Sequence, residues 1–161
     1  MHIAHNERGT TLVEALVAAG LLITILSGIA YLIVQAHRFA VRAEQMTVAV
    51  VAASARLERL RGIPWEYDLA GMERDAPALA MSPPDALDRD VDGFHETLDV
   101  GGDAVADVPD GAPAYVRRWA IGPARGGGER TRAIEVCVFE WPAAESAPPL
   151  TCLASVRTRQ P

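Results

Sequence analysis

The chain has 161 residues, 50% of them hydrophobic, and a formal net charge of -6. This length suits one globular domain with an appended segment and is too short for two full hydrophobic cores. The acidic balance argues against a general nucleic-acid-binding protein, since such domains are usually basic. Two cysteines are too few for a disulfide scaffold or a self-sufficient zinc site, which needs about four ligands.

The first feature along the chain is an uncharged apolar run over residues 15–34. As a helix this run spans roughly 30 Å, the thickness of a bilayer's hydrocarbon core. A secretory signal peptide has a shorter apolar stretch followed by a small-residue cleavage site, and strong helix formers follow here instead. We therefore expect a retained membrane helix, with the short leader and Arg8 on the cytoplasmic side.

A short motif precedes this run: residues 8–14 read RGTTLVE. The motif and the apolar run together resemble the class III signal of type IV pilins and type II secretion pseudopilins. The resemblance implies that a membrane prepilin peptidase cuts between Gly9 and Thr10 and methylates the new N-terminus. Glu14 then occupies the fifth mature position, where the family places its acidic residue. Thr10 stands where the family usually has phenylalanine.

Glu14 carries a charge into a segment expected to lie in lipid. An ionised carboxylate there is costly unless it is paired, so such residues are functional candidates. In a helical stack of subunits, the free α-amine of an incoming chain can pair with Glu14 of its neighbour. Within one helix, Glu14 can instead interact with its own N-terminus and the helix dipole. The alternative is a plain membrane anchor whose Glu14 reaches the lipid interface.

Beyond the membrane run, apolar residues recur in alternating steps of four and three. This seam consists of Phe39, Ala43, Met46, Val50, Ala53, Leu57 and Leu60. Such spacing predicts an amphipathic helix that packs on the sheet of its own head, because so many alanines make a thin coiled coil. Gly62 and Pro64 predict its end.

The remaining residues predict a β-rich head. Residues 63–113 are rich in Pro, Gly and Asp, which indicates ordered loops around short elements. Three later segments are rich in β-branched and aromatic residues and predict an antiparallel meander: residues 115–121, 132–141 and 150–159.

We therefore predict an α+β, pilin-like fold, in which a long N-terminal helix packs on a small antiparallel sheet. The predicted parts are a prepilin leader, a transmembrane and assembly helix, an amphipathic stem helix and a globular β head: residues 1–9, 10–34, 35–62 and 63–161.

The two cysteines are predicted to pair. If the last two strands form a hairpin with Cys137 opposite Cys152, Glu135 faces Ala154 and the register is self-consistent. Outside the cytoplasm such a pair tends to oxidise. We expect a structural disulfide, with two buried free thiols as the alternative.

Residues 88–99, DRDVDGFHETLD, partly match an EF-hand calcium loop. Alternate aspartates and Gly93 fit the pattern, whereas His95 and the terminal Asp99 depart from it and no helix pair is predicted around them. The favoured interpretation is a solvated acidic turn leading into a strand, so no metal or other cofactor is expected. A calcium site is the alternative.

Four arginines lie on two predicted strands: Arg117, Arg118, Arg157 and Arg159. We expect them on the water-facing side of the sheet, with DNA phosphate binding as the less favoured alternative. The chain lacks the Ser, His and Cys motifs of common hydrolases and metalloenzymes and the glycine-rich nucleotide loops. The sequence therefore predicts a protein that is not an enzyme and does not bind nucleic acid.

The head segments ASARLERLRGIPW, VDGFHETLDVGGD, YVRRWAI and SVRTR are similar to minor pilins, and the apolar run lacks the proline usual in major pilins. The resemblance implies a single-pass protein of the bacterial inner membrane with a periplasmic head, which then enters a pilus or pseudopilus. Its expected partners are prepilin peptidase, other pilin subunits and the inner membrane. Two alternatives stay open: a minor pseudopilin of a type II secretion system, or a non-polymerising membrane protein whose periplasmic head binds calcium or a ligand.

Overall fold

The computed structural model describes residues 11–64, 66–67, 73–74, 76–105, 113–124, 126 and 131–158. Within them lie one α-helix (α1, Leu12–Arg61), a 3-10 turn at Pro77–Leu79 and six strands. The strands are β1 (Glu66–Tyr67), β2 (Glu73–Arg74), β3 (His95–Leu98), β4 (Tyr115–Pro123), β5 (Thr131–Glu140) and β6 (Thr151–Thr158). The predicted cleavage residues Gly9 and Thr10, and also Arg159, lie outside the described residues.

The chain divides into two compact units, Met1–Ala43 and Glu44–Pro161, and α1 contributes residues to both. In the second unit, the C-terminal part of α1 packs on a four-stranded antiparallel sheet with the order β3-β4-β5-β6. This is the predicted α+β fold. The last three strands form the predicted meander, with ends that differ by no more than two residues from the predicted ones.

One face of the sheet packs against α1. Alternate residues of the inner strands point towards the helix, because successive side chains in a strand lie on opposite faces. Trp119 stands opposite Val136, and Ile121 stands opposite Ile134 in the β4–β5 register. All four are buried in one core with Leu60 of α1.

The buried stripe of α1 agrees with the predicted seam in its C-terminal part and departs from it in its N-terminal part. The residues near the start of that seam are exposed: Phe39, Met46 and Val50. The buried residues of α1 are Ala49, Ala52, Ala53, Leu57 and Leu60. The predicted seam is thus confirmed for Ala53, Leu57 and Leu60, whereas Ala49 and Ala52 were not part of it. A Cβ at Gly102 would lie 3.4 Å from Cβ of Ala52, so the loop after β3 comes close to the helix where the small side chain lies.

The opposite face of the sheet is also covered. Val116, Cys137 and Phe139 form a second buried cluster, against which Leu87 and Ala147 pack. The loop that contains Leu87 precedes β3, and Ala147 belongs to the β5–β6 connection. An inner strand such as β4 therefore has no water-facing side over this region.

Candidate functional site

The first turn of α1 is capped by a side chain. The backbone N–H of Glu14 donates to Oγ1 of Thr11 at 3.4 Å, and the N–H of Ala15 donates to the Thr11 carbonyl at 3.2 Å. Thr11 is thus the N-cap residue and Glu14 is the third residue of the helix, the spacing of a capping box. This role of Thr11 was not predicted, although the Thr-x-x-Glu pattern of residues 11–14 is a sequence signal of a capping box.

Glu14 lies in the first helical turn, where unsatisfied N–H groups and the helix dipole favour a negative charge. Its side chain is exposed. A carboxylate in this position can accept a hydrogen bond or an ion pair from a cationic group of another chain. Within the part of the chain that the structure describes, no residue buries this carboxylate, so it is available for such a contact.

A stretch of 18 residues within α1 has the character of a membrane span, with a mean hydropathy of 2.4 and none of its residues buried. This helix is long and apolar enough to cross a bilayer. Its polar side chains bond within the helix. Thr24 donates to the carbonyl of Leu21 at 2.8 Å, and Ser27 donates to the carbonyl of Ile23 at 2.7 Å. Such internal bonds suit lipid, where no water can satisfy a polar group.

Cys137 and Cys152 form the predicted disulfide. They are directly opposed in the β5–β6 register, as Glu135 and Ala154 are, so the predicted register is confirmed as well. Cys137 is buried and Cys152 is exposed. The carboxylate of Glu135 lies within 4.8 Å of both sulfurs. Because the two sulfurs form a disulfide, Glu135, Cys137 and Cys152 do not offer two thiolates to a metal ion.

Arg117 lies on the helix side of β4 and is only 5% exposed. It stands opposite Glu96 of β3, and its Nε donates to the Glu96 carboxylate at 2.8 Å. Its Nη1 donates to the main-chain carbonyl of Ala52 in α1.

The guanidinium of Arg56 stacks over the ring of Trp119 at 3.8 Å from the centroid. Burial lowers the pKa of Arg56, and the nearby Glu96 opposes that shift.

Arg118 points to the opposite face and is 1% exposed. Its guanidinium donates to Oδ1 of Asp90 at 2.9 Å, to the carbonyl of Asp88 at 2.9 Å and to the carbonyl of Leu87 at 3.3 Å. A further bond of 3.2 Å runs to the carbonyl of Ala143. The expectation of water-facing arginines is therefore wrong for Arg117 and Arg118, because both faces of β4 are covered.

Arg157 of the edge strand β6 is partly buried and donates to two carbonyls at the end of α1. One bond, of 3.2 Å, goes to Leu60, and the other goes to Ile63. Burial lowers the pKa of its guanidinium. Three of the four arginines considered as a DNA-binding stripe thus have internal partners, and the fourth lies outside the described residues.

The acidic side chains of the EF-hand-like segment, residues 88–99, bond to different partners. Asp90 bonds to Arg118, whereas Glu96 bonds to Arg117 on the other face of the sheet. The Asp99 carboxylate accepts the backbone N–H groups of Gly101 and Asp103, each at 2.9 Å. The segment does lead into a strand, as predicted. Two of its carboxylates, however, hold buried arginines instead of facing only solvent.

No protein-family model matches the chain, and searches of curated proteins and of solved structures also find no match.

Proposed function

We propose that the chain is a minor pilin: a prepilin-type protein that is cut after Gly9 and enters a type IV pilus through its N-terminal helix. Before assembly it is held in the bacterial inner membrane by a single span, with its head in the periplasm. It acts through contacts with other pilin subunits and catalyses no reaction.

The observation that carries this proposal is the start of α1. A capped turn with Glu14 at its third position leads directly into an apolar helix that is exposed along residues 11–34. Cleavage after Gly9 would place a new amine one residue before the cap at Thr11. An exposed carboxylate and a nearby amine are the two groups that neighbouring helices need to neutralise each other in lipid.

The disulfide and the satisfied polar groups of the span support the same location. A disulfide persists in an oxidising compartment such as the periplasm, whereas the cytoplasm keeps thiols reduced. Thr24 and Ser27 bond to the helix backbone, so the span requires no polar partner for them in the membrane.

Processing is tested first. The full chain is expressed with and without an active prepilin peptidase, and the N-terminus is determined by intact mass and Edman sequencing. We expect the mature chain to begin at a methylated Thr10, and G9V to remain uncut. The matched control is G20A, since a Cβ at Gly20 meets no atom within 4 Å. A mature protein that begins at Met1 beside an active peptidase contradicts the proposal.

Assembly is tested with E14Q in a piliated host. We expect the variant to be processed and membrane-bound, yet to fall about tenfold in sheared fibres, because an unpaired amine then remains in lipid. E58Q is the control, since Glu58 is an exposed residue of the same helix. Wild-type incorporation of E14Q contradicts the assembly role. Recovery from a secretion pseudopilus assigns the chain to a type II system, and recovery from neither filament favours the non-polymerising alternative.

A further inference from the structure

The loop before β3 lies around the guanidinium of Arg118, a side chain of β4. Four oxygen atoms converge on the Arg118 guanidinium: the carbonyls of Leu87, Asp88 and Ala143, and the carboxylate of Asp90. Carbonyl and carboxylate oxygens of this kind are the ligands that a hard cation takes in a protein loop. The same loop gave the partial calcium-loop match in the sequence.

The Arg118 guanidinium lies among these four oxygens and is almost fully buried. Arg118 is 1% exposed, and its charged group lies 4.7 Å from the centre of the Phe139 ring. A planar cation with five N–H donors suits oxygens spread around its edge, with an aromatic ring over its face. The Asp88 carbonyl also accepts the N–H of Ser146 at 3.1 Å, so this loop and the β5–β6 connection meet at the charge.

We infer that Leu87, Asp88, Asp90 and Ala143 form a cation-binding cradle whose cation is the Arg118 guanidinium, and that removing this side chain creates a site for a free guanidinium compound. The head then holds this loop in place without calcium. These contacts of Arg118 lie within one head and do not depend on pilus assembly.

The test uses the full-length protein in detergent micelles and compares wild type with R118A. Loss of a buried, paired cation is expected to lower the thermal midpoint by about 10 °C. Millimolar methylguanidinium is expected to restore several degrees to R118A along a saturating curve, because a ligand that binds only the folded state stabilises it. N-methylurea, which has a similar shape and no charge, is expected to restore nothing.

Two controls separate this effect from general ones. R61A removes an exposed arginine paired with Glu58 and is expected to show neither the loss nor the rescue. In wild type, EDTA and millimolar Ca²⁺ are expected to leave the midpoint unchanged. If R118A does not fold, R118M takes its place, since methionine keeps an unbranched apolar stem and removes the charged group that lies over Phe139.

The inference is overturned by any of three results. The first is an R118A or R118M variant that is as stable as wild type. The second is no rescue of R118A by methylguanidinium, or equal rescue by N-methylurea, because either would mean that the cradle does not select a cation. The third is a Ca²⁺-dependent rise in the wild-type midpoint that D90N abolishes, because Asp90 would then serve a metal ion.

Discussion

The guanidinium of Arg117 donates a hydrogen bond to the main-chain carbonyl of Ala52, so a side chain of β4 is bonded directly to the backbone of α1. The same guanidinium is paired with Glu96, its cross-strand neighbour on β3. One buried cation thus connects two strands and the helix. Its removal would take from Glu96 its closer ion-pair partner and leave Arg56, at 3.8 Å, as the remaining partner that the structure describes.

We therefore expect R117A to destabilise the head by about 3 kcal/mol, the low end for removing one member of a buried ion pair, because Arg56 still lies near Glu96. Chemical denaturation of the full chain in detergent measures this loss. The control is R61A, where an exposed pair with Glu58 contributes less than about 0.5 kcal/mol. Equal midpoints for the two variants would show that the Arg117 contacts are not stabilising.

Gly102 should tolerate no side chain. Its φ is +86°, and a Cβ there would lie 3.0 Å from Cγ1 of Val48 and 3.4 Å from Cβ of Ala52. We expect G102A to lose about 1–3 kcal/mol, because alanine in this backbone region is strained whatever the space. G122A is the control, since a Cβ at Gly122 meets nothing within 4 Å. The G102A/V48A double variant should recover only the steric part, and full recovery would contradict the role of the backbone.

The Cys137–Cys152 disulfide closes a sequence separation of 15 residues. Loop closure of that length is worth about 3 kcal/mol in the unfolded chain. Reduction of wild type should therefore lower its unfolding midpoint, while the C137A/C152A variant should melt at one temperature with or without reductant. Thiol titration of the unreduced protein provides the check, and two free thiols in the native chain would contradict the pairing.

Tyr115 makes stability depend on alkaline pH. Burial raises the pKa of its phenol, and the carboxylates of Glu140 and Glu44 raise it further. The folded protein thus holds this proton more tightly than the unfolded chain does. The resulting stability is fully present below the unfolded pKa of about 10 and is lost as the pH rises from there through the folded value. Wild type should lose stability above pH 10 more steeply than Y115F, and parallel curves would argue against the effect.

Local patterns in the sequence were sufficient for the main elements. The uninterrupted apolar run and the helix formers after it predict α1, and the β-branched segments predict β4, β5 and β6. The Cys137–Cys152 register also follows from the sequence, because an antiparallel hairpin fixes opposite residues once one pair is chosen. These properties depend on neighbouring residues, which a sequence shows directly.

The sequence did not reveal which polar side chains are buried. Arg117 and Arg118 are adjacent in the chain and look alike, yet they point to opposite faces of β4 and bind different acidic partners. Their burial depends on α1 covering one face and the loops around Leu87 and Ala147 covering the other. The burial of Ala49 instead of Val50 also depends on which distant residues of the head lie against α1.

By itself, the sequence determined a long apolar helix, an antiparallel meander and one cysteine pair, since each is set by local periodicity and chain connectivity. Only the tertiary structure decided that the acidic loop encloses Arg118 and that Arg117 bonds to α1. Those contacts join residues distant in the chain, and the free energy of a buried charge depends on which distant groups surround it.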